Sequence, residues 1–167
     1  MITLDATTHI YSDETGREYT SVSRVINTVI AKSFDGVDPA VLANAADRGI
    51  RTERYATEIL KNGWCEIQAG TERADVSERV EGFWNWYKQT GAELISEQQI
   101  VSDETNGIAG SLDWTLLVGA GDWIVDLKCT SAPEPAWAGS GVVTVNPSLL
   151  VWYRSLDPRA TASHRSR

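Results

Sequence analysis

The chain has few of the residues on which several common chemistries depend. Its 167 residues include two cysteines, two histidines and one methionine. Two cysteines far apart in sequence favour reduced thiols over a disulfide staple. His9 falls in the first predicted strand and His164 in the C-terminal tail, so neither suits a catalytic base. The sequence therefore offers no Ser–His–Asp or Cys–His constellation, and it has no phosphate-binding glycine loop.

Long apolar runs and an excess of positive charge are also missing. No stretch of about 18 apolar residues occurs, and the N-terminus lacks the charged-then-apolar pattern of a signal peptide. We therefore expect an intracellular, cytoplasmic protein without a membrane partner. The net charge of −8 argues against a generic nucleic-acid binder, because such proteins usually present a basic patch.

Two short runs, Gly110-Ser-Leu-Asp113 and Asp126-Leu-Lys128, are the strongest candidates for chemistry. In an extended chain Asp126 and Lys128 point the same way and Leu127 points away. A divalent cation needs clustered hard oxygen ligands, and a nearby ammonium group orients water and offsets developing charge. Alternatively, the aspartates are solvated strand residues with Lys128 as a surface partner. The apolar flanks favour a site, because charges on a central strand are costly unless paired or bound to metal.

Three strands are predicted around these residues, with Asn106-Gly107 and Gly119-Ala-Gly121 as the turns between them. Strands joined by tight turns form an antiparallel meander. Pairing in register would set Asp113 and Asp126 side by side. The predicted strands cover residues 93–101, 108–118 and 123–129.

A third acid, Glu53, lies on a predicted helix. Asp38-Pro39 suits a helix start, and Asn62-Gly63 suits its end. Glu53 falls in the middle of an apolar stripe, so its charge must be neutralised. A metal or active-site role, a buried basic partner and a rotated helix all remain open. The predicted stripe consists of Leu42, Ala45, Ala46, Gly49, Ala56 and Leu60.

A second helix is predicted over residues 74–90. Its apolar stripe and the tryptophans of the chain are read as core, although tryptophans can also stack on bases. Cys129, on the inward strand face, is read as core as well. The stripe contains Val76, Val80, Phe83, Trp84 and Tyr87, and the core tryptophans are Trp84, Trp114 and Trp123.

Taken together, these segments resemble the PD-(D/E)XK nuclease superfamily, specifically its RecB-like phage and prophage exonucleases, over roughly residues 2–131. Residues 11–16 and 20–25 look like the N-terminal hairpin and "P-S-V-T-x-[VI]-L" segment of that group. Residues 45–53 resemble "A-x-x-R-G-x-x-x-H", with Glu53 where histidine often stands. Residues 107–113 look like "G-I-A-G-x-I-D", and Asp126-Leu-Lys128 is similar to the "D-x-K" signature.

The resemblance implies an α/β fold with a restriction-endonuclease-like core, in which a central mixed β-sheet with an antiparallel meander is flanked by helices. Residues 1–153 would form a single domain that is atypical or truncated after about residue 137. The basic tail 154–167 is poor in large apolar residues, and we expect it to be disordered.

The resemblance also implies roles for individual residues. Asp113 and Asp126 would bind Mg²⁺ or Mn²⁺ together with the backbone carbonyl of Leu127, and Lys128 would position or help to deprotonate the attacking water. Glu53 would be an additional ligand. Further candidates are Glu97 for the metal site and, for DNA contact, Ser21, Ser23, Arg48, Arg51 and Gly110. The alternative interpretation of Arg48, Arg51 and Arg54 is that they form a solvated face of the helix.

The function implied is a metal-dependent exonuclease that hydrolyses phosphodiester bonds of linear duplex or single-stranded DNA, in phage or prophage recombination or DNA processing. A recombination or phage protein is the expected partner. The negative net charge is compatible with this, because acidic metal sites add charge that cations offset. A structure-specific endonuclease is a further reading, since the same core serves both.

The sequence departs from the family pattern in two ways. RecB-like members usually carry "Q-x-x-x-Y" on a helix soon after the lysine, but loop and strand are predicted after Trp137, and Leu149 stands four residues before Tyr153. This motivates an alternative: a catalytically impaired module that binds nucleic acid or protein without cleavage. Moreover, Cys65 and Cys129 are too few for the four-cysteine iron–sulfur cluster of some relatives, so we expect none.

Overall fold

The computed structural model describes residues 1–29, 36–67, 71–129, 141–146 and 149–155. They form an α/β arrangement of three helices and eight strands within these ranges. The strands are β1 Thr3–Asp5, β2 Ile10–Ser12, β3 Glu18–Ser21, β4 Glu93–Asp103, β5 Ile108–Val118, β6 Gly121–Lys128, β7 Gly141–Asn146 and β8 Leu149–Ser155. The helices are α1 Val22–Val29, α2 Pro39–Asn62 and α3 Ala74–Thr90.

The chain divides into two compact units, Met1–Val37 with Gln98–Leu112 and Asp38–Glu97 with Asp113–Arg167. In the first unit β1, β2 and β3 form an antiparallel meander. The start of β5 then pairs in parallel with β3. A small core of Tyr11, Tyr19 and Ala109 holds these strands together.

In the second unit, α2 and α3 pack with β5 and β6 around one hydrophobic core. The core face of the two strands carries Trp114, Leu116 and Val125, so the predicted alternation of side chains is confirmed. Cys129, Trp84 and Trp123 pack against the same core, also as predicted. The helices contribute Tyr55, Ala56, Ile59, Leu60, Val76, Val80, Phe83 and Trp86.

The residues predicted to start and end α2 have those roles in the structure. The Asp38 side chain accepts a hydrogen bond from the Ala40 amide at 2.8 Å, and Gly63 ends the helix with φ at 76°. Since a left-handed φ is strained for residues with a Cβ, glycine is favoured there. The apolar stripe is corrected in part. Ala46 is exposed, and the buried stripe of the second half also contains Thr52, Tyr55 and Ile59.

The sheet is mixed, because β3 and β5 are parallel while β5–β6, β6–β8 and β8–β7 are antiparallel. β7 agrees with the strand predicted after Trp137, a residue that itself lies outside the described ranges, whereas β8 was not predicted. Arg154 and Ser155 of the predicted tail belong to β8, and residues 156–167 lie outside the described ranges. Within those ranges no helix has the length and apolar character needed to cross a bilayer.

Candidate functional site

The register of β5 and β6 brings the two candidate aspartates to neighbouring positions. The paired residues run from Val118↔Gly121 to Trp114↔Val125. Asp113 and Asp126 are the next residues on the two strands. β6 meanwhile continues to pair with β8 as far as Lys128↔Leu150. The aspartates therefore stand where the β5–β6 ladder ends, on the face opposite Trp114 and Val125.

The carboxyl groups of Asp113 and Asp126 are hydrogen-bonded to each other. Burial, this hydrogen bond, and the negative charges of Asp126 and Glu53 raise the pKa of Asp113 to about 8. A pKa of about 8 favours the protonated form of the Asp113 carboxyl group at neutral pH. Protonation removes one of two neighbouring like charges.

Lys128 completes the group on the same strand face. Its Nζ lies 2.6 Å from Asp126 Oδ2. The positive charge of Lys128 opposes the effects that raise the pKa of Asp113. The side chains of Asp126 and Lys128 are 24% and 40% exposed, so solvent reaches both groups. The carboxyl groups of Asp113 and Asp126 and the ammonium group of Lys128 thus form one polar cluster at the end of β6.

Glu53 approaches this cluster from helix α2. Its backbone carbonyl accepts a hydrogen bond from Thr57 Oγ1 at 2.9 Å, and Thr57 Oγ1 accepts the indole N–H of Trp114 at 3.2 Å. Trp114 is the neighbour of Asp113 in β5, so these bonds fix the turn of α2 that carries Glu53 against the strand. The charge of Glu53 acts on Asp113 accordingly.

The donor chemistry of the cluster suits a hard divalent cation, since Asp113, Asp126 and Glu53 offer carboxylate oxygens. Within the described residues, no group of three or more His, Cys, Asp or Glu side chains has a metal-ligating arrangement. The negative charge of the aspartates is instead offset by the proton on Asp113 and by the Lys128 ammonium. A cation can bind these carboxylates only after Asp113 has lost its proton.

Two other residues of the expected metal site have different surroundings. Glu97 is paired with Lys61 of α2, whose Nζ lies 2.5 Å from Glu97 Oε1, and this ion pair is the contact that the structure shows for its side chain. The structure therefore does not bring Glu97 into the cluster. Leu127 lies in the β6–β8 ladder opposite Val151, with its side chain toward the core.

Three of the candidates for DNA contact belong to the first unit, where two of them have structural roles. Ser21 Oγ accepts the Arg24 amide at 3.2 Å and so caps the start of α1. Gly110 lies against Val22, where an added Cβ would stand 2.9 Å from Val22 Cγ2. Ser23 is exposed on α1.

The arginines of α2 are not simply a solvated face. Arg51 binds Asp47 through its Nε at 2.9 Å and also contacts the buried carboxylate of Glu72. Arg48 is largely buried and contacts Asp75 of α3. Arg54 is exposed, with its guanidinium over the Tyr55 ring, and the Arg51 side chain is 42% exposed.

Sequence reasoning missed Arg79, which is 8% exposed on α3. One of its Nη atoms donates to the Asp75 carbonyl oxygen. Arg79 is four residues from Asp75 and stands next to the predicted core position Val80. A charged residue adjoining an apolar helical stripe is the signal that would have found it.

Comparisons of the chain with models of protein families, with curated proteins and with solved structures gave no match.

Proposed function

We propose that this protein is a metal-dependent nuclease that hydrolyses phosphodiester bonds of DNA, with an exonuclease of phage or prophage DNA processing as the specific form. The observation that carries the proposal is the grouping of Asp113, Asp126 and Lys128 at the end of the β5–β6 ladder. Glu53 adds a third carboxylate from α2. Such a set of acids beside one ammonium suits phosphodiester hydrolysis better than acyl transfer, because it holds no nucleophile–histidine pair.

Each side chain has a distinct task in this proposal. Asp113, Asp126 and Glu53 would hold Mg²⁺ or Mn²⁺, with the Leu127 carbonyl as a further ligand. When bound, the cation would supply Lewis-acid stabilisation of phosphate charge and lower the pKa of an attacking water. Lys128 Nζ would orient that water and the phosphate oxygens through its N–H groups. Asp113 must first give up the proton that it shares with Asp126.

Digestion of linear duplex and single-stranded DNA with Mg²⁺ or Mn²⁺ tests the proposal. We expect cleavage by the wild type and a loss of about 100-fold or more in Lys128→Ala. Lys61→Ala is the matched control. Lys61 also pairs with a carboxylate on a strand, but its partner is Glu97 and not a residue of the cluster. Equal rates of cleavage by the wild type and Lys128→Ala would refute the proposed role of Lys128 in the mechanism. Cleavage of closed circular DNA would identify an endonuclease.

A second candidate is a nuclease-fold module that binds nucleic acid or protein without cleavage. The specific observation in its favour is that neither aspartate is available to a metal ion. Lys128 Nζ forms an ion pair with Asp126 Oδ2 at 2.6 Å, and the raised pKa of Asp113 favours its protonated form. β7 and β8 also stand where RecB-like members usually have a helix. DNA binding without cleavage in any divalent metal would favour this candidate over the enzyme.

A further inference from the structure

A cleft of about 360 Å³ lies where the end of α2 and the segment that follows it meet α3. Its floor is the hydrophobic core, because Ile59 and Val80 line the cleft and are 0% and 1% exposed. Ile67 also lines the cleft and packs against the same core. The lining residues all belong to the second unit. The volume falls within the range of small-molecule sites, roughly 300–1,000 Å³.

Two tryptophans border this cleft. Trp64 directly follows Gly63, the residue that ends α2, and is 59% exposed. Trp84 stands four residues after Val80, on the same face of α3, and packs against the core. The face of an indole ring carries negative electrostatic potential, so it attracts a cation that lies over it. The cleft therefore combines apolar walls with two rings that favour a positive charge.

The Trp84 ring already has an ammonium group over it. Lys88, one turn further along α3, places its Nζ 5.2 Å from the centre of that ring. Among the described residues, no lysine or arginine is placed in this way over Trp64. The exposed Trp64 ring is consequently open to a cation from solvent.

The charge of the cleft has one sign. Among the described residues that line it, Glu81 is the one charged side chain, and it is exposed on α3. A second carboxylate acts on the lining, since burial and then the charge of Glu58 raise the pKa of the Cys65 thiol. A cation that enters the cleft therefore meets negative charge, whereas an anion such as a backbone phosphate is repelled.

We propose that this cleft binds a small organic cation, a ligand with an alkylated ammonium group and an apolar body. The apolar body would lie on Ile59, Ile67 and Val80. The ammonium group would lie over the Trp64 ring, with Glu81 as its counter-charge. The site is separate from the polar cluster at the end of β6 and does not depend on the nuclease proposal.

The competing explanation is that the cleft is an incompletely filled space with affinity for apolar groups in general. Choline and 3,3-dimethylbutan-1-ol separate the two explanations, because these probes share a shape and differ in charge. In a ¹H–¹⁵N titration, we expect choline to shift the indole N–H resonances of Trp64 and Trp84, with a dissociation constant about tenfold below that of the alcohol. The indole of Trp114, 1% exposed and bonded to Thr57, is the internal control and should stay in place. Equal affinities, or no response of Trp64 to choline, would overturn the proposal.

Two substitutions test the roles of ring and carboxylate. Trp64→Leu keeps an apolar side chain and removes the ring, so it should weaken choline binding about tenfold and leave the binding of the alcohol within about twofold. Glu81→Gln should weaken choline binding about threefold at low salt. Glu66→Gln is the matched control, because Glu66 is exposed and adjoins Cys65 but does not line this cleft. Thermal unfolding verifies the fold of each variant. Equal losses in Glu66→Gln and Glu81→Gln would assign the effect to general surface charge and overturn the site.

The apolar body has a separate test. Benzyltrimethylammonium adds a phenyl ring to the head group of tetramethylammonium, and burial of that ring should lower the dissociation constant about tenfold. Equal affinities for these two cations would show that the apolar walls take no part, and would overturn the class of ligand.

A nucleic-acid surface would give a different pattern. A shift of the Trp64 resonance with a single-stranded oligonucleotide, without a response to choline, would assign the ring to base stacking and overturn the cation site. DNA cleavage and choline binding are independent measurements, so failure of one proposal leaves the other in place.

Discussion

The indole N–H of Trp114 donates to the hydroxyl of Thr57 at 3.2 Å, which ties β5 to α2 directly beside the candidate site. Trp114 is buried, and Thr57 donates onward to the carbonyl of Glu53 at 2.9 Å. Two hydrogen bonds thus lead from the strand residue next to Asp113 to the helix residue that brings the third acid. The placement of Glu53 depends on core contacts as well as on its own side chain.

Thr57→Val should lower the free energy of unfolding by about 1–3 kcal/mol, because the buried Trp114 N–H loses its acceptor without a change in side-chain shape. Urea unfolding measures the loss. Thr90→Val is the control, since the Thr90 hydroxyl bonds only to carbonyls of its own helix, at Trp86 and Tyr87. Equal losses in the two variants would show that the link to Trp114 contributes nothing.

Asp113→Asn should flatten the dependence of stability on pH. The pKa of Asp113 is raised from 3.8 to about 8, so between these values the folded protein binds a proton that the unfolded chain releases. This contribution is complete below pH 3.8 and is lost as the pH rises through about 8. Its slope is at most about 1.4 kcal/mol per pH unit. Urea unfolding from pH 4 to pH 8 measures it, and an unchanged slope in the variant would refute it.

Mn²⁺ binding should strengthen as the pH rises toward 8, because the cation must displace the proton of Asp113. Calorimetry in two buffers of different ionisation enthalpy would detect the released proton. Asp113→Ala should abolish binding. Glu97→Ala should retain it, since Glu97 is paired with Lys61. Equal affinity in wild type and Asp113→Ala would exclude the cluster as the metal site.

Lys128→Ala should bind Mn²⁺ at least as tightly as the wild type and yet lose cleavage. The Lys128 ammonium competes for Asp126 at 2.6 Å, so its removal frees an oxygen ligand. The same calorimetric titration, run beside a DNA digestion, separates the two effects. Weaker binding in Lys128→Ala would mean that the lysine supports the metal site.

Gly110→Ala should destabilise the protein by about 1–3 kcal/mol through overpacking. An added Cβ would lie 2.9 Å from Val22 Cγ2, too close for an unstrained contact. Thermal unfolding of Gly110→Ala and of the double variant with Val22→Ala tests the cause. Rescue in the double variant is expected, and its absence would assign the loss to another contact.

Much of the arrangement of the second unit follows from local sequence rules. The alternation of side chains and the short turn at Gly119 place Asp113 and Asp126 on one face, and the structure has them hydrogen-bonded there. Capping residues place α2, as the Asp38 side chain and Gly63 show. Such rules succeed because the interactions act between neighbours in the chain or across one tight turn.

The contacts of charged side chains could not be predicted in the same way. The pairing of Glu97 with Lys61 and the burial of Arg79 depend on how helices and strands meet in space. The sequence analysis names Ser21 as a DNA-contact candidate, and the structure shows that its hydroxyl caps α1, as a serine one residue before a helix often does. Long-range pairs of this kind carry no fixed spacing in sequence.

The length of the turn between β5 and β6 determines which residues of the two strands pair, and therefore where Asp113 and Asp126 stand. Only Gly119 and Ala120 separate the paired residues Val118 and Gly121, and every later pair is counted from that point. One inserted residue would shift the count by one, and side chains that now face the cluster would exchange places with the core. If the proposed function holds, a change in the length of this loop would therefore abolish activity without altering any acid or lysine.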